Sequence, residues 1–256
     1  MDFSTLPGGV FLKLQTIRVR RSRPSAPALA LALALTMLFV YLISLSAGTE
    51  APESDAAAAA ASGEAAVRME GLEAAFICDA VCDDLTEARV AAANCAANGG
   101  AGMLLRENAQ FAVVREAVNS DAAPQDALRR SASGLTLKLS GPAAEVAAVS
   151  DAVAFLRAQA AETGSLAAAL ESGGTDANSI VALMEVYRTQ GARARSALEK
   201  VSNQGETIQR LQSAVQGELD RLDSAIQSPD AGKIKLIHAA ACGEWISLLN
   251  ALSESA

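Results

Sequence analysis

The sequence predicts an α+β chain: an N-terminal transmembrane helix, a ferredoxin-like βαββαβ domain, and a C-terminal all-α helical hairpin or bundle. Three observations carry that prediction. A run without a charged residue, 26–46, follows directly on a basic cluster. Two half-units of strand, helix and strand follow between residues 71 and 141. Beyond them, apolar residues recur at alternating spacings of four and three, the seam of packed helices.

Residues 1–25 form a basic tail, with Lys13, Arg18, Arg20, Arg21 and Arg23 against Asp2. The stretch "ALALALALTMLFVYLISLS" within 26–47 has about the 20 residues needed to cross a bilayer core as a helix. It is apolar all round, unlike a helix half-exposed to water. The positive-inside rule puts the tail in the cytoplasm and everything after residue 47 outside. A cleaved signal peptide is the rival reading, because "SLSAG" offers small residues at the right place. The run exceeds the roughly 7–15 residues of a signal core, which favours an uncleaved anchor. Residues 48–70 then read as an Ala-rich linker; "AGTEAPESDAAAAAASGEAA" is small, polar and acidic and holds the next domain off the membrane. The formal charge is −8 although the tail is positive, so the body is strongly acidic. That excludes the basic footprint nucleic acid requires.

Within 71–141, "AAFICDAV" reads as a buried strand ended by Asp83 and Asp84. "DDLTEARVAAANCAANGG" reads as a helix, with acidic residues at its start, Leu85, Ala88, Ala92 and Cys95 at helical spacing, and Asn98-Gly99-Gly100 at its end. "AGMLLRE" and "FAVVREA" give two further strands about the turn "NAQ", "SDAAPQDALRRSAS" a second helix, and "LTLKLS" a fourth strand. In that strand Leu135, Leu137 and Leu139 share one face and Thr136 and Lys138 the other. This order predicts a four-stranded antiparallel sheet with both helices on one face, its first and third strands side by side. Asp79 and Arg115 then stand at matching places and are expected to pair.

Residues 142–256 read as helical. A first helix stops at Gly173-Gly174; stripes follow through Ile180, Met184, Tyr187, Gly191, Ala194, Leu198 and Val201, then Ile208, Leu211, Val215, Leu219, Leu222 and Ile226. "SNQGE" either breaks this segment or is run through by it. A last helix carries Leu236, Ile237, Cys242, Trp245, Ile246 and Leu249. The helical half serves either to bind a partner or to support the first domain.

A catalytic constellation is hard to assemble. His238 is the one histidine, and no phosphate loop, GxSxG or HExxH occurs. Cys78, Cys82 and Cys95 lack the paired spacing of a zinc site. Along an extended segment Cys78 and Cys82 stand roughly 13 Å apart, too far to bridge. A Cys78–Cys95 disulfide is conceivable; packing as small apolar residues is favoured. No enzyme, cofactor or metal is read.

"ICDAVCDDLTEARVAAANCAANGGAGMLL" followed by "AQFAVVREAVNSDAAPQDALRR" is similar to the sporulation-related repeat (SPOR) domain. That family has two imperfect repeats, each with a strand ending in glycine and phenylalanine before an acidic helix start and an alanine. Ala88 matches the alanine, and Ala80 and Cys82 occupy the glycine and phenylalanine places. Phe111 matches the second repeat's aromatic, while Glu116 and Val118 stand at its Gly and Phe places. The frame also resembles the family's proteins in spore-forming Firmicutes: basic tail, one span, spacer, repeat domain, and helices ending in "CGEWISLLNALS". The resemblance implies a non-enzymatic, single-pass cell-membrane protein whose extracytoplasmic domain binds peptidoglycan glycan strands at division or sporulation septa. The glycan would lie on the sheet face away from the helices, which implies Cys78, Ala112, Val114, Glu116, Thr136 and Lys138 as its contacts. The alternative is a membrane-anchored scaffold that has lost glycan binding and engages another envelope or divisome protein through its C-terminal helices.

Overall fold

The described backbone opens as a strand, Glu64–Met69, inside the segment read as spacer. A computed structural model describes residues 64–254; the expected cytoplasmic tail, the membrane helix at 26–47 and the linker up to residue 63 lie outside them. No helix among the described residues is long and apolar enough to cross a membrane. In chain order the elements are β1 (Glu64–Met69), β2 (Leu72–Cys82), α1 (Leu85–Ala97), β3 (Met103–Glu107), β4 (Gln110–Asn119), a 3-10 turn (Ser120–Ala122), β5 (Leu128–Ala132), β6 (Leu135–Ser140), α2 (Ala143–Glu171), α3 (Ala177–Leu198), α4 (Glu206–Gln227) and α5 (Ala231–Ser253).

The ferredoxin-like βαββαβ expectation is overturned at its second half. The residues read as a second helix, 120–133, form a 3-10 turn and then β5. Pro124 lacks the N–H a helix needs and pushes Ala123 into extended backbone, φ −80° and ψ 145°. The chain beyond it pairs with the free edge of β2. The strand read as fourth, β6, joins a separate two-stranded ribbon with β1, a strand the linker reading missed. The four-stranded sheet runs β3-β4-β2-β5, all antiparallel. Strands β2 and β4 do stand side by side in its middle, and each carries a bulge, at Asp79 and Arg115. The two bulge residues pair at 3.4 Å, as their positions in the sequence suggested, in an exposed bridge of modest worth.

The ribbon and the sheet are one device. Leu72 faces Ala132 in β2–β5 and Met69 faces Leu135 in β1–β6, so the register is unbroken from Glu64↔Ser140 to Phe76↔Leu128. The long antiparallel ladder is interrupted between its two halves, where Gly71 and Gly134 pass each other closely. A Cβ on Gly71 would stand 2.8 Å from the Ala132 carbonyl oxygen, and one on Gly134 the same distance from that of Met69. Only glycine permits so close a backbone crossing. At this interruption the indole Nε1–H of Trp245 donates to the Glu70 carbonyl at 3.0 Å, and Arg157 stands 3.7 Å from the Glu70 carboxylate.

Helices cover both faces of the sheet, not one. Val113 points to α1, packing with Ala92 and Cys95. Its neighbour Val114 points the other way, into the main core with Phe76, Ala74 and the helices α2–α5. Helix α1 starts where Asp84 accepts from the Thr86 and Glu87 amides at 2.7 and 3.0 Å, and ends before Gly99 at φ 80°. In the bundle the stripes fall where the sequence spacing puts them: Ile180, Met184, Tyr187, Gly191, Ala194 and Leu198 on α3, and Ile208, Leu211, Val215, Leu219 and Leu222 on α4, are buried. Ile226 is half-buried. Residues 202–206 do break the segment, with Gly205 as the residue before α4. Sheet and helices form one compact unit.

Adding a methyl at Gly71 or Gly134 tests the close approach. Gly71→Ala and Gly134→Ala are each expected to cost about 1–3 kcal/mol through backbone overlap, read as a lower midpoint in chemical denaturation. Trp245→Phe removes the indole N–H, leaves the Glu70 carbonyl unpaired and puts a smaller ring in a buried site, for a loss of at least about 1–3 kcal/mol in the same measurement.

Candidate functional site

The six residues implied as sugar contacts do not share one open face. Val114 is fully buried and Ala112 nearly so, and Cys78 is half-buried with its thiol donating to the Phe76 carbonyl at 3.6 Å. All three face the side of the sheet that the C-terminal helices pack against, with Cys78 and Val114 touching that core. Glu116 lies 3.7 Å from Lys235 of α5. Thr136 and Lys138 are exposed, but on the separate ribbon. Leu135, Leu137 and Leu139 pack partly against the main core, as their alternation implied. The cysteines are free. Cys95 lies on the buried face of α1 toward Val113, and Cys82 is buried at the end of β2, so the C-rich stretch is packing.

A cleft opens instead where the bottom of the sheet meets α2 and α5. It has a volume of about 470 Å³. Its space exists because one wall is made of small residues: Ala160, Ala161, Gly164, Ala167 and Ala168 of α2 face Ala74 and Ala117 of the sheet. At one end Lys235, only 11% exposed, lies 2.6 Å from Glu171. This ion pair ties α5 to α2, and Glu116 completes a bridge to β4. The other end is formed by His238 and Cys242, one helical turn apart on α5.

The hydrogen bonds define the state of His238. Thr163 Oγ1 donates to the Gln159 carbonyl at 2.5 Å, the back-bond of a helical threonine. Its remaining capacity is as an acceptor, so at 3.2 Å the His238 Nδ1 carries the proton. Nε2 is left with its lone pair; Cys242 Sγ stands 3.8 Å from Nε2 and 4.0 Å from Nδ1, nearly equidistant from the two and so off the line of that lone pair. Burial holds the imidazole below its ordinary value despite a hydrogen bond to the Gln159 carbonyl. Burial also pushes the Cys242 thiol up to about 12, against the pull of Arg157. At neutral pH the pair is thiol and neutral imidazole. A cysteine nucleophile needs the reverse order, thiolate beside imidazolium, so this dyad is not an activated one.

A second polar centre lies between α4 and α5. Glu218 is fully buried, with its Oε1 3.0 Å from Arg221, which also reaches Glu244 of α5 at 2.6 Å. Desolvation raises the Glu218 carboxyl to about 7; Arg221 opposes the rise and Glu244 adds to it. Sequence reading passed over Glu218, Gln159 and Thr163. The available signal was a polar residue at a stripe position: Glu218 continues Leu211 and Val215 toward Leu222, and Gln159 and Thr163 lie between Leu156 and Ala167 on the buried face of α2.

No family model, curated protein or solved structure matches the chain.

Glu218 sets a pH dependence. Its folded pKa lies above the ~4.3 of an unfolded glutamate, so the folded state binds the extra proton between those values. The stabilisation is complete below the unfolded value and is lost as pH rises through about 7. Asp84, Glu145 and Asp176, held low chiefly by backbone or serine donors, act in the opposite sense as pH falls. Comparison with Glu218→Gln isolates the buried group. The variant is expected to match wild type near pH ~4.5 and to exceed it by on the order of 3 kcal/mol at pH ~8 in urea denaturation.

Proposed function

We propose that this chain is a non-enzymatic, single-pass cell-envelope protein, anchored by residues 26–47, whose extracytoplasmic body is a scaffold engaging another envelope protein through its C-terminal helices. What supports this reading most is the course of α5. It packs across the sheet face that would otherwise carry a glycan, and with Trp245, Ile234 and Ile237 it merges sheet and bundle into one core. The sheet is thereby a support for the helices. The absence of charge across 26–46 behind five basic residues supplies the anchor, and the neutral state of the His238–Cys242 pair favours binding over nucleophilic chemistry.

One observation favours the second reading, peptidoglycan recognition. Lys138 borders a groove of about 360 Å³ with Ser140, Glu145, Asn203 and Thr207, side chains that offer hydrogen bonds to hydroxyl groups. In that reading glycan strands lie along the β1–β6 ribbon beside the start of α4, on a different surface from the one the SPOR resemblance implies.

Cosedimentation of the full chain in detergent with purified peptidoglycan sacculi, before and after amidase removes the stem peptides, separates the two. The scaffold reading expects no sedimentation with either preparation. Sedimentation that rises after amidase and is lost in Lys138→Ala would replace it with the glycan reading.

A further inference from the structure

Lys138 on β6, Arg193 on α3 and Lys200 in the turn after α3 are exposed cations. Among the described residues none of the three joins an ion pair, whereas Arg157, Arg188, Arg195, Arg210, Arg221 and Lys235 of the helical half each do. We infer that these three side chains form a lipid-contact edge, resting on the phosphate groups of anionic phospholipids in the membrane that holds the chain. The inference depends on the anchor at 26–47 proposed above, and on neither the scaffold nor the glycan role.

Strand pairing fixes where this edge lies. Glu64, the first residue of β1, stands opposite Ser140, the last of β6, so the body meets the preceding chain beside the start of α2. Residues 48–63 separate that point from the expected span. A segment of that length reaches at most about 55 Å, which keeps the edge in range of the headgroups. Two hollows open there. One, of about 360 Å³, is bordered by Lys138, Asn203 and Thr207. The other, of about 400 Å³, is bordered by Arg193, Ser196 and Lys200. They adjoin, because Glu145 and Val201 line both.

Charge and donor chemistry select the occupant. Of the carboxylates that line the hollows, Glu206 is neutralised by Arg210, and Glu145 accepts from the Ser202 amide at 3.0 Å. Three positive side chains therefore face one negative charge. The hydroxyls of Ser196 and Thr207 and the amide of Asn203 add neutral donors beside them, the set that phosphate oxygens accept from. The chain as a whole carries a formal charge of −8, so an anionic surface repels it in most orientations. Attraction to such a surface fades within roughly 8 Å at physiological salt, so the side chains at the edge itself decide which way the body faces.

The test is lysine footprinting of the full chain in lipid nanodiscs, by amine acylation and mass spectrometry at low salt. Discs of phosphatidylcholine alone are compared with discs in which part of it is replaced by phosphatidylglycerol. Lys138 and Lys200 are expected to react about tenfold more slowly in the phosphatidylglycerol discs and to recover when salt is raised. Lys233 is the internal reference. It too lacks an ion pair among the described residues, donates to the Ser224 carbonyl, and stands beyond the far end of α4, about 33 Å along that helix from the hollows. Its rate is expected to be equal in both discs. Equal rates for Lys138 and Lys200 in the two discs, or equal protection of Lys233, would overturn the inference. Arg193→Gln/Lys200→Gln is expected to return Lys138 toward its phosphatidylcholine rate, and unchanged protection in that variant also overturns it. Protection by inorganic phosphate in phosphatidylcholine discs, at matched ionic strength, would replace the lipid with a free-phosphate site. A chain that does not enter discs sinks the anchor reading separately. The same footprinting with vesicles of the two compositions then decides the edge, with the same expected and overturning results.

Discussion

The hydrogen bond from Trp245 to the Glu70 carbonyl sits where the long antiparallel ladder is interrupted, and the tie between sheet and helices depends on it. The register runs unbroken across that point, so β1–β6 continues β2–β5. The interruption at Gly71 and Gly134 leaves backbone groups that must find partners. Trp245 supplies one partner from α5, and Arg157 of α2 stands beside the same residue. The two helices with the most extensive mutual packing are thus tied to the break in the ladder. The ring that makes this bond is only 2% exposed, so the polar contact is protected from water by the same apolar burial it orients.

Small residues explain how so alanine-rich a chain builds both a core and a cleft. Where α3 approaches α2, Gly191 receives the Phe155 ring, with a would-be Cβ only 2.7 Å from it. There the small residue is filled by a large neighbour. Along the upper part of α2, Ala160, Gly164, Ala167 and Ala168 face other alanines of the sheet, and nothing large fills the gap. The same composition gives tight packing or open space according to what stands opposite. The polar groups at the ends of that space, Lys235 with Glu171 and His238 with Cys242, come from one helix, α5, so its placement governs both the sheet face and the cleft.

The helical half was legible because its signal is local. Stripes such as Ile180–Met184–Tyr187–Gly191 repeat within the reach of a single helix, and their period alone says which side is buried. Asp84 as a cap and the stop at Gly173 are equally local. The strands were only partly legible. Met103–Glu107 and Gln110–Asn119 form a hairpin across a short turn and were read correctly, and Asp79 with Arg115 followed from the adjacency of two central strands. Strand β1, "EAAVRM", has the composition of a spacer and becomes a strand by pairing with residues about seventy positions away. Strand β5 carries residues that suit a helix, and the edge of β2 overrides them. The candidate site shared this limit. His238 and Cys242 are visible as a pair one turn apart, but Thr163, which sets the tautomer, is 75 residues away.

By itself, then, the sequence determined the features carried by short-range chemistry: an uncharged run behind basic residues, an acidic body, the helices and their buried stripes, the β3–β4 hairpin, and a scarcity of catalytic side chains. Tertiary structure decided which strands share a sheet, that helices cover both of its faces, that the expected sugar contacts are divided between a buried face and a separate ribbon, and that a neutral histidine and thiol end the same cleft. The reason is physical. Helical hydrogen bonds close within four residues and leave their period in the sequence, whereas strand pairing and the solvation of a polar group depend on partners the chain brings together only when it folds.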